Sequence, residues 1–196
     1  QASRAVAIGT VRGPALALGD AGNRHVVWFG AQGSGHGGGS ALFYSRVDAA
    51  GAVSEPRDLM GGTLALDGGA DVVADGKGNV WLIWHALPAG KEGQREGARR
   101  LFVRHSADDG RSFGEPWEVP GINDGICGCC GLAAALDARG AIHVLYRMAS
   151  AEGKERGIRH IRFPWTGSAG GAVERVSEDR WEMPGCSRTT EQSARL

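Results

Sequence analysis

The clearest structural signal in the chain is the stretch Asp71-Val-Val-Ala-Asp75-Gly-Lys-Gly-Asn-Val-Trp-Leu-Ile-Trp84. Two apolar runs flank a short turn that carries an aspartate and two glycines. Val, Ile and Trp favour strands, whereas Asp and Gly favour tight turns. The stretch therefore predicts a β-hairpin.

The same hairpin pattern occurs three times, since residues 15–28 and 133–146 repeat it. A third strand is predicted after each hairpin, at Leu42–Ser45, Leu101–His105 and Ile158–Phe163. A fourth is predicted near Arg57–Leu59, Trp117–Val119 and Glu174–Val176. Four antiparallel strands in about 50 to 60 residues are typical of one blade of a β-propeller.

These repeats predict an all-β fold, a β-propeller of four-stranded antiparallel blades. We expect a single propeller segment over residues 1–196, with blade-like units at about 14–60, 68–120 and 127–180 and a further blade starting at 186. A β-sandwich of seven to nine strands is the alternative at this length. The repeated Asp/Gly hairpins favour the propeller, because a sandwich need not repeat one turn at blade spacing.

The segment Ser106-Ala-Asp108-Asp-Gly110-Arg-Ser-Phe113 resembles the Asp-box, Ser-x-Asp-x-Gly-x-x-(Trp/Phe), of the sialidase-like or BNR-repeat propellers. Asp108 can accept backbone N–H bonds across a tight turn, Gly110 can take a positive φ, and Phe113 can pack into the blade. A weaker copy lies at residues 45–51. The resemblance implies a fold, because the box lies away from that family's active site.

A second resemblance covers about residues 127–190. Bacterial secreted BNR-repeat proteins carry a Cys-rich blade start, a strand with an Asp/Gly turn, an aromatic-Arg ending and, after the next blade boundary, a Gly-Cys pair. The matching residues are Cys127, Cys129 and Cys130, the turn 136–140, Tyr146-Arg147, and Gly185-Cys186. Ser187-Arg188 stands where that family has a Pro-His pair, which puts any role of that histidine in doubt.

The resemblance implies a six-bladed ring, of which this chain supplies about three blades. Three blades leave open sheet edges. We expect the rest to come from another part of a longer protein, from a second copy of the chain, or from a protein partner.

A sialidase holds the substrate carboxylate with three arginines and uses a tyrosine nucleophile paired to a glutamate, because the guanidinium fork matches a carboxylate and a neutral tyrosine avoids repulsion. The weak candidates here are Arg12, Arg147, Arg188 and Tyr146. The Arg-Ile-Pro element of sialidases is missing. Ion pairing at the surface or between blades is the simpler interpretation of these arginines, so the chain is expected to be non-catalytic. If it is an enzyme, we expect a sialidase-type glycoside hydrolase.

Three of the four cysteines lie in the run Cys127-Gly-Cys129-Cys130, and the fourth is Cys186. Two disulfides, one of them joining the run to Cys186, are one interpretation. A disulfide that closes a loop of about sixty residues would contribute roughly 4 kcal/mol to stability. A metal site of all four cysteines is the other, and soft thiolates suit copper or zinc. A thioredoxin-like redox pair is not indicated, because no helix is predicted at the C-x-x-C. We expect no cofactor unless copper or zinc binds there.

The 22 basic side chains balance the 22 acidic ones. Without a broad basic field, nucleic acid is not an expected partner. No window approaches the roughly 20 apolar residues of a transmembrane helix. The clustered cysteines suit an oxidising compartment, so we expect a periplasmic or secreted location.

These observations predict an extracytoplasmic, sialidase-like β-propeller that acts as a binding or structural module in a larger assembly, with a protein or a glycan as its partner. Two alternatives remain. One is an exo-sialidase-type hydrolase whose catalytic residues lie outside this segment, and the other is a copper- or zinc-binding protein built on the cysteines.

Overall fold

The computed structural model describes residues 13–31, 40–166, 170–177 and 181–182. Within these ranges the regular structure is almost entirely β. The strands are β1 (Ala15–Leu18), β2 (Arg24–Ala31), β3 (Ser40–Val47), β4 (Arg57–Asp58), β5 (Ala70–Ala74), β6 (Val80–Ala86), β7 (Arg100–Ser106), β8 (Trp117–Glu118), β9 (Gly125–Ile126), β10 (Leu132–Leu136), β11 (Ala141–Ala149), β12 (Glu155–Pro164), β13 (Val173–Arg175) and β14 (Trp181–Glu182). Two short 3-10 turns lie at Asp20–Gly22 and Glu96–Ala98. No helix in the described ranges is long and apolar enough to cross a membrane.

The strands form three antiparallel sheets with the order expected of propeller blades. Sheet one has the order β1-β2-β3-β4, sheet two β5-β6-β7-β8, and sheet three β10-β11-β12-β13. The short strands β9 and β14, which were not predicted, extend sheet three by pairing with β11 and β12. The predicted all-β propeller fold of four-stranded blades is confirmed.

The hairpin turns form because an aspartate side chain holds the backbone of the turn. Asp75 Oδ1 accepts the N–H of Lys77 at 2.7 Å and that of Asn79 at 3.0 Å. Asp137 Oδ1 makes the same bonds to Arg139 and Ala141, at 2.9 and 2.8 Å. The repeated sequence pattern is thus a repeated turn geometry in sheets two and three.

Sheet two lies between the other two sheets, and β6 shows this directly. Its seven residues are all buried. Val80, Leu82 and Trp84 pack into a core with sheet one, whereas Trp81 and Ile83 pack into a core with sheet three. A strand that is buried on both faces reads as a continuous apolar run, which explains the sequence Val-Trp-Leu-Ile-Trp.

The first strands of the three sheets lie side by side, with β5 in contact with both β1 and β10. Because each sheet is an antiparallel meander, its turns project at two opposite ends. We call the end where β5 and β10 begin and β6 and β11 end the cysteine face, since residues 127–130 lie there. The other end, which carries the turn 106–113, is the box face.

The turn on the box face closes through its own side chains. Asp108 accepts bonds from the backbone N–H and the hydroxyl of Ser112, at 2.8 and 2.6 Å, and these bonds lower the pKa of Asp108 to about 2. Gly110 has a φ of 76° and its N–H donates to Ser106 Oγ at 2.9 Å. Phe113 packs edge-on against Tyr44 of sheet one, with ring centroids 4.9 Å apart.

The adjacent Asp109 joins this turn to sheet one. Its carboxylate accepts bonds from Asn23 Nδ2 at 2.7 Å and from Arg46 Nε and Nη2 at 3.0 and 2.9 Å, and it lies 3.2 Å from His25 Nε2. His25 is fully buried, and its other ring nitrogen contacts the hydroxyl of Tyr44. The box turn of sheet two is therefore also a polar contact between two sheets.

Candidate functional site

The cysteine cluster lies in the loop that leads into β10. The Sγ atoms of Cys127, Cys129 and Cys130 all lie within 4.8 Å of one another, close enough to ligate one metal ion. Cys127 and Cys130 are buried, and Cys129 is half-buried. At a Zn–S distance of about 2.3 Å, two thiolates of a tetrahedral site are about 3.8 Å apart. The separation of 3.9 Å between Cys127 and Cys129 matches this value, whereas that of 3.2 Å between Cys127 and Cys130 is shorter.

No disulfide joins two members of this cluster, because neither Cys127 nor Cys130 is disulfide-bonded. The distances from Cys127 Sγ to the other two sulfur atoms also far exceed the S–S bond length of about 2.05 Å. Cys127 and Cys130 are thiols, whereas Cys129 is disulfide-bonded and in that state offers no thiolate. The fourth cysteine, Cys186, lies outside the described residues.

The two thiols have different roles. Cys127 Sγ donates a hydrogen bond to Cys130 Sγ, and this bond together with burial raises the pKa of Cys127. Cys130 Sγ also accepts a contact of 3.7 Å from Arg147 Nη1. Cys130 is thus the acceptor of the pair.

Three buried arginines surround the cluster: Arg99, Arg147 and Arg156. Arg156 pairs with Glu96, whose other carboxylate oxygen accepts the N–H of Gly128 at 2.8 Å. The Arg99 guanidinium packs against Gly128 so closely that a Cβ at this position would lie 2.8 Å from Nε. Burial lowers the pKa of Arg99, and the nearby carboxylates of Asp67 and Glu96 oppose that shift.

The backbone of the cluster is held from sheet two. His85 Nε2 lies 2.8 Å from the carbonyl oxygen of Cys130, and full burial beside Arg99 lowers the pKa of His85 to about 4. His85 is therefore neutral near pH 7 and donates its Nε2 proton to this carbonyl. Gly68 allows the close approach, since a Cβ there would lie 2.5 Å from the carbonyl carbon of Cys129. The cluster is thus a closely packed, arginine-lined junction between sheets two and three.

An open groove of about 550 Å³ lies beside this junction on the cysteine face. It is lined mainly by the loop between β6 and β7, and its polar lining includes Lys91, Gln94, Arg95, Arg100 and Glu118. Arg100 is 3.6 Å from Glu118. Lys91 and Arg95 are exposed, and within the described ranges neither forms an ion pair. The groove therefore presents two cations to solvent, in a volume typical of small-molecule sites.

Two of the four weak catalytic candidates can be placed. Arg147 lies in the cysteine junction. Tyr146, next to it on β11, points into the opposite, apolar core, where burial raises its pKa to about 12 and its hydroxyl has no hydrogen-bond partner among the described residues. The structure thus separates these two candidates instead of bringing them together. Arg12 and Arg188 lie outside the described residues.

Several residues of the junction carry no signal in the sequence. Glu96 and Arg99 lie in a charged run, Arg95-Glu-Gly-Ala-Arg-Arg100, that is typical of a solvated loop. Arg156 begins a strand among other charges. Their burial depends on contacts with residues 30 to 60 positions away in the chain, such as the Arg156–Glu96 pair, and no local pattern predicts such contacts.

Comparison with known proteins supports the fold. No family model and no curated protein matches the chain. Among solved structures, a fucose lectin from Kordia zhangzhouensis in complex with methyl-fucoside matches with a TM-score of 0.50 at 14% identity, over 85% of this chain and 100% of the lectin chain. The sialidase of Trypanosoma rangeli matches with a TM-score of 0.51 at 11% identity, over 84% of this chain and 30% of the sialidase.

At these identities the likeness concerns the fold. The chain shares a β-propeller-like architecture with a carbohydrate-binding protein and with a glycosidase. It spans less than a third of the sialidase.

Proposed function

We propose that the chain is a non-catalytic, extracytoplasmic propeller module that binds an acidic carbohydrate in the groove beside the cysteine junction. The observation that carries this proposal is the pair of exposed cations, Lys91 and Arg95, in a groove large enough for one or two sugar rings. Guanidinium and ammonium groups favour carboxylate and sulfate groups. The fold shared with a fucose lectin is consistent with such a module.

The placement of both tyrosines favours binding over hydrolysis. Both tyrosines are buried; the hydroxyl of Tyr44 contacts His25, and that of Tyr146 lies in a core. Neither is therefore available as a nucleophile, and the pKa of each is raised by burial. A sialidase-type hydrolase would need its nucleophile from elsewhere.

Calorimetric titration of the purified chain with 3′-sialyllactose, lactose and methyl-fucoside tests the proposal. We expect 3′-sialyllactose to bind and lactose not to. Arg95→Ala and Lys91→Ala should each weaken binding about tenfold, whereas Lys77→Ala, which removes an exposed cation on the box face, should leave it unchanged. Equal binding in all three variants would refute the groove as the site, and release of sialic acid would favour the hydrolase.

We further propose that Cys129 and Cys186 form a disulfide that holds the chain after sheet three to the cysteine face, and that this bond reflects an oxidising compartment. Cys129 is disulfide-bonded, whereas the other two cysteines of the cluster, Cys127 and Cys130, are thiols, and this supports the proposal. Mapping of peptides under non-reducing conditions would identify the pair. Any other pairing of Cys129 would contradict the proposal.

The second candidate function is binding of copper or zinc by the cysteines, favoured by the three Sγ atoms within 4.8 Å. It requires Cys129 to be reduced. Elemental analysis of the native protein, with a thiol count on the same sample, separates the two candidates: stoichiometric metal with four thiols supports the metal site, and two thiols without metal support the structural junction.

A partner or a second copy is proposed to complete the ring, because the three sheets leave a face of sheet three without another described sheet against it. Sedimentation of the chain alone measures this directly. A dimer would favour two copies, and a monomer would favour a different polypeptide or a longer chain.

A further inference from the structure

A row of titratable side chains crosses the face of sheet three that packs against no other described sheet. His143 on β11 and His160 on β12 are diagonal neighbours, since His143 pairs with Arg162 and His160 pairs with Leu145. Asp137 precedes β11, and Glu174 pairs with His160 from β13. The opposite face of the same strands, at Ile142, Val144 and Ile161, forms the core with sheet two.

Three contacts connect these groups in a line. Asp137 Oδ2 lies 3.1 Å from His143 Nε2, and Glu174 Oε2 lies 3.2 Å from His160 Nδ1. Between them, His143 Nδ1 and His160 Nε2 face each other at 3.0 Å. The two ring planes are within 21° of parallel, with centroids 5.1 Å apart.

This line has three contacts, one more than the N–H groups that two neutral imidazoles carry. Three hydrogen bonds require three protons, because carboxylates only accept, and two neutral imidazoles carry two N–H groups in total. If both outer nitrogens donate to their carboxylates, the two inner nitrogens direct lone pairs at each other. A cation between the inner nitrogens would relieve the repulsion of these lone pairs.

We propose that His143 Nδ1 and His160 Nε2 bind one divalent metal ion of the imidazole-preferring kind, Zn²⁺, Ni²⁺ or Cu²⁺. Metal-bound nitrogens about 2.0–2.1 Å from one ion are about 3.0 to 3.4 Å apart, which agrees with the distance here. Asp137 and Glu174 hold the outer N–H groups and so orient both rings, as carboxylates do behind metal-ligating histidines.

The charge of the surroundings also favours a cation. Asp137 and Glu174 are two carboxylates against one guanidinium, Arg162, whose Nη2 lies 3.3 Å from Asp137. The imidazoles are partly accessible, with 33% of the His143 side chain and 22% of the His160 side chain exposed. Water can therefore complete the coordination of an ion held by two nitrogens. The site is independent of the groove and of the cysteine junction.

Calorimetric titration of the whole chain with NiCl₂ and with ZnCl₂ at pH 7.5 tests this site. We expect one ion per chain, and affinity at least tenfold lower in both His143→Gln and His160→Gln. Glu174→Gln, which removes only the carboxylate behind His160, should lower affinity about tenfold. His105→Gln, at a half-buried histidine of sheet two, is the matched control and should bind as the parent does.

A second measurement keeps the test decisive if a variant folds poorly. In the parent protein, the ring ¹⁵N signals of His143 and His160 should shift on addition of Zn²⁺, whereas that of His105 should not. No binding by the parent, or binding that survives in both histidine variants and is lost in Cys127→Ser, would overturn the proposal.

Discussion

Replacement of Asp109 by Asn should loosen the contact between sheets one and two. The Asp109 side chain is 6% exposed and accepts bonds from Asn23, Arg46 and the backbone N–H of Asp20. The amide keeps the shape of the side chain and tolerates the positive φ of 57° at this position. It removes the charge, however, and directs an NH₂ group at a set of donors.

The expected cost is about 3 kcal/mol in the free energy of unfolding at pH 7, because breaking a buried ion pair on one side typically costs about 3–5 kcal/mol and Arg46 keeps some access to water. This corresponds to a fall in Tm of about 6–12 °C for a chain of this size. Urea unfolding followed by tryptophan fluorescence measures it. Glu118→Gln, which removes an exposed partner of Arg100, is the control and should change stability by at most about 0.5 kcal/mol.

The same contact should depend on pH in a defined direction. Burial acts to raise the pKa of Asp109, but bonds from Arg46 and from the N–H of Asp20 outweigh it and the pKa is lowered. A carboxyl whose pKa is lowered on folding stabilises the protein above its unfolded pKa, and that contribution is lost as pH falls through the folded pKa. The difference between parent and Asp109→Asn should therefore be full at pH 7 and shrink below about pH 4. A difference under about 0.5 kcal/mol at pH 7 would refute the role of Asp109 as an inter-sheet contact.

Three further predictions concern the cysteine junction. Burial lowers the pKa of His85 to about 4, so the free energy of unfolding should fall by about 3 kcal/mol between pH 6.5 and 4, where the unfolded chain binds a proton at this residue and the folded chain does not. His85→Gln should flatten the pH dependence of urea unfolding, and an unchanged slope would contradict this. Gly68→Ala should destabilise by about 3 kcal/mol, because the new Cβ would meet the backbone of Cys129 and Cys130 at 2.5 Å, whereas Gly114→Ala, with one contact at 3.8 Å, should stay within about 0.5 kcal/mol by thermal unfolding. Cys127 and Cys130 are buried thiols, so iodoacetamide should leave the native protein unmodified and add two groups after unfolding. After unfolding and reduction it should add four groups, counted by intact mass. Four groups on the unfolded protein without reductant would rule out the disulfide of Cys129.

The strands and the order of the sheets could be predicted because their signals are local. The turn at Asp75 requires an aspartate and small residues within five positions, and the neighbouring strands require runs of β-branched and aromatic side chains. The fourth strands were predicted near their observed places for the same reason. The strands β9 and β14 were missed, because they lie outside the repeated four-strand pattern and each has only two residues.

The residues of the candidate site likewise divide into those that have a local signal in the sequence and those that have none. The sequence pointed to the cysteine run, and the structure brings its three sulfur atoms together. It also suggested Tyr146 and Arg147 as candidates, but neighbours on a strand point to opposite faces, so one lies in the core and the other in the junction. The ring of Arg99, Arg156 and Glu96 around the cysteines had no local signature.

Local chemistry along the chain was sufficient to predict the repeated hairpins, the propeller fold and the cluster of cysteines. Only the tertiary structure decided which charged residues are buried and which partners they meet. Asp109 reaches Asn23 across 86 positions, Arg156 reaches Glu96 across 60, and His143 meets His160 across 17. Such pairs depend on how the sheets pack and on strand register, and both arise from the burial of many apolar side chains at once instead of from any short stretch of sequence.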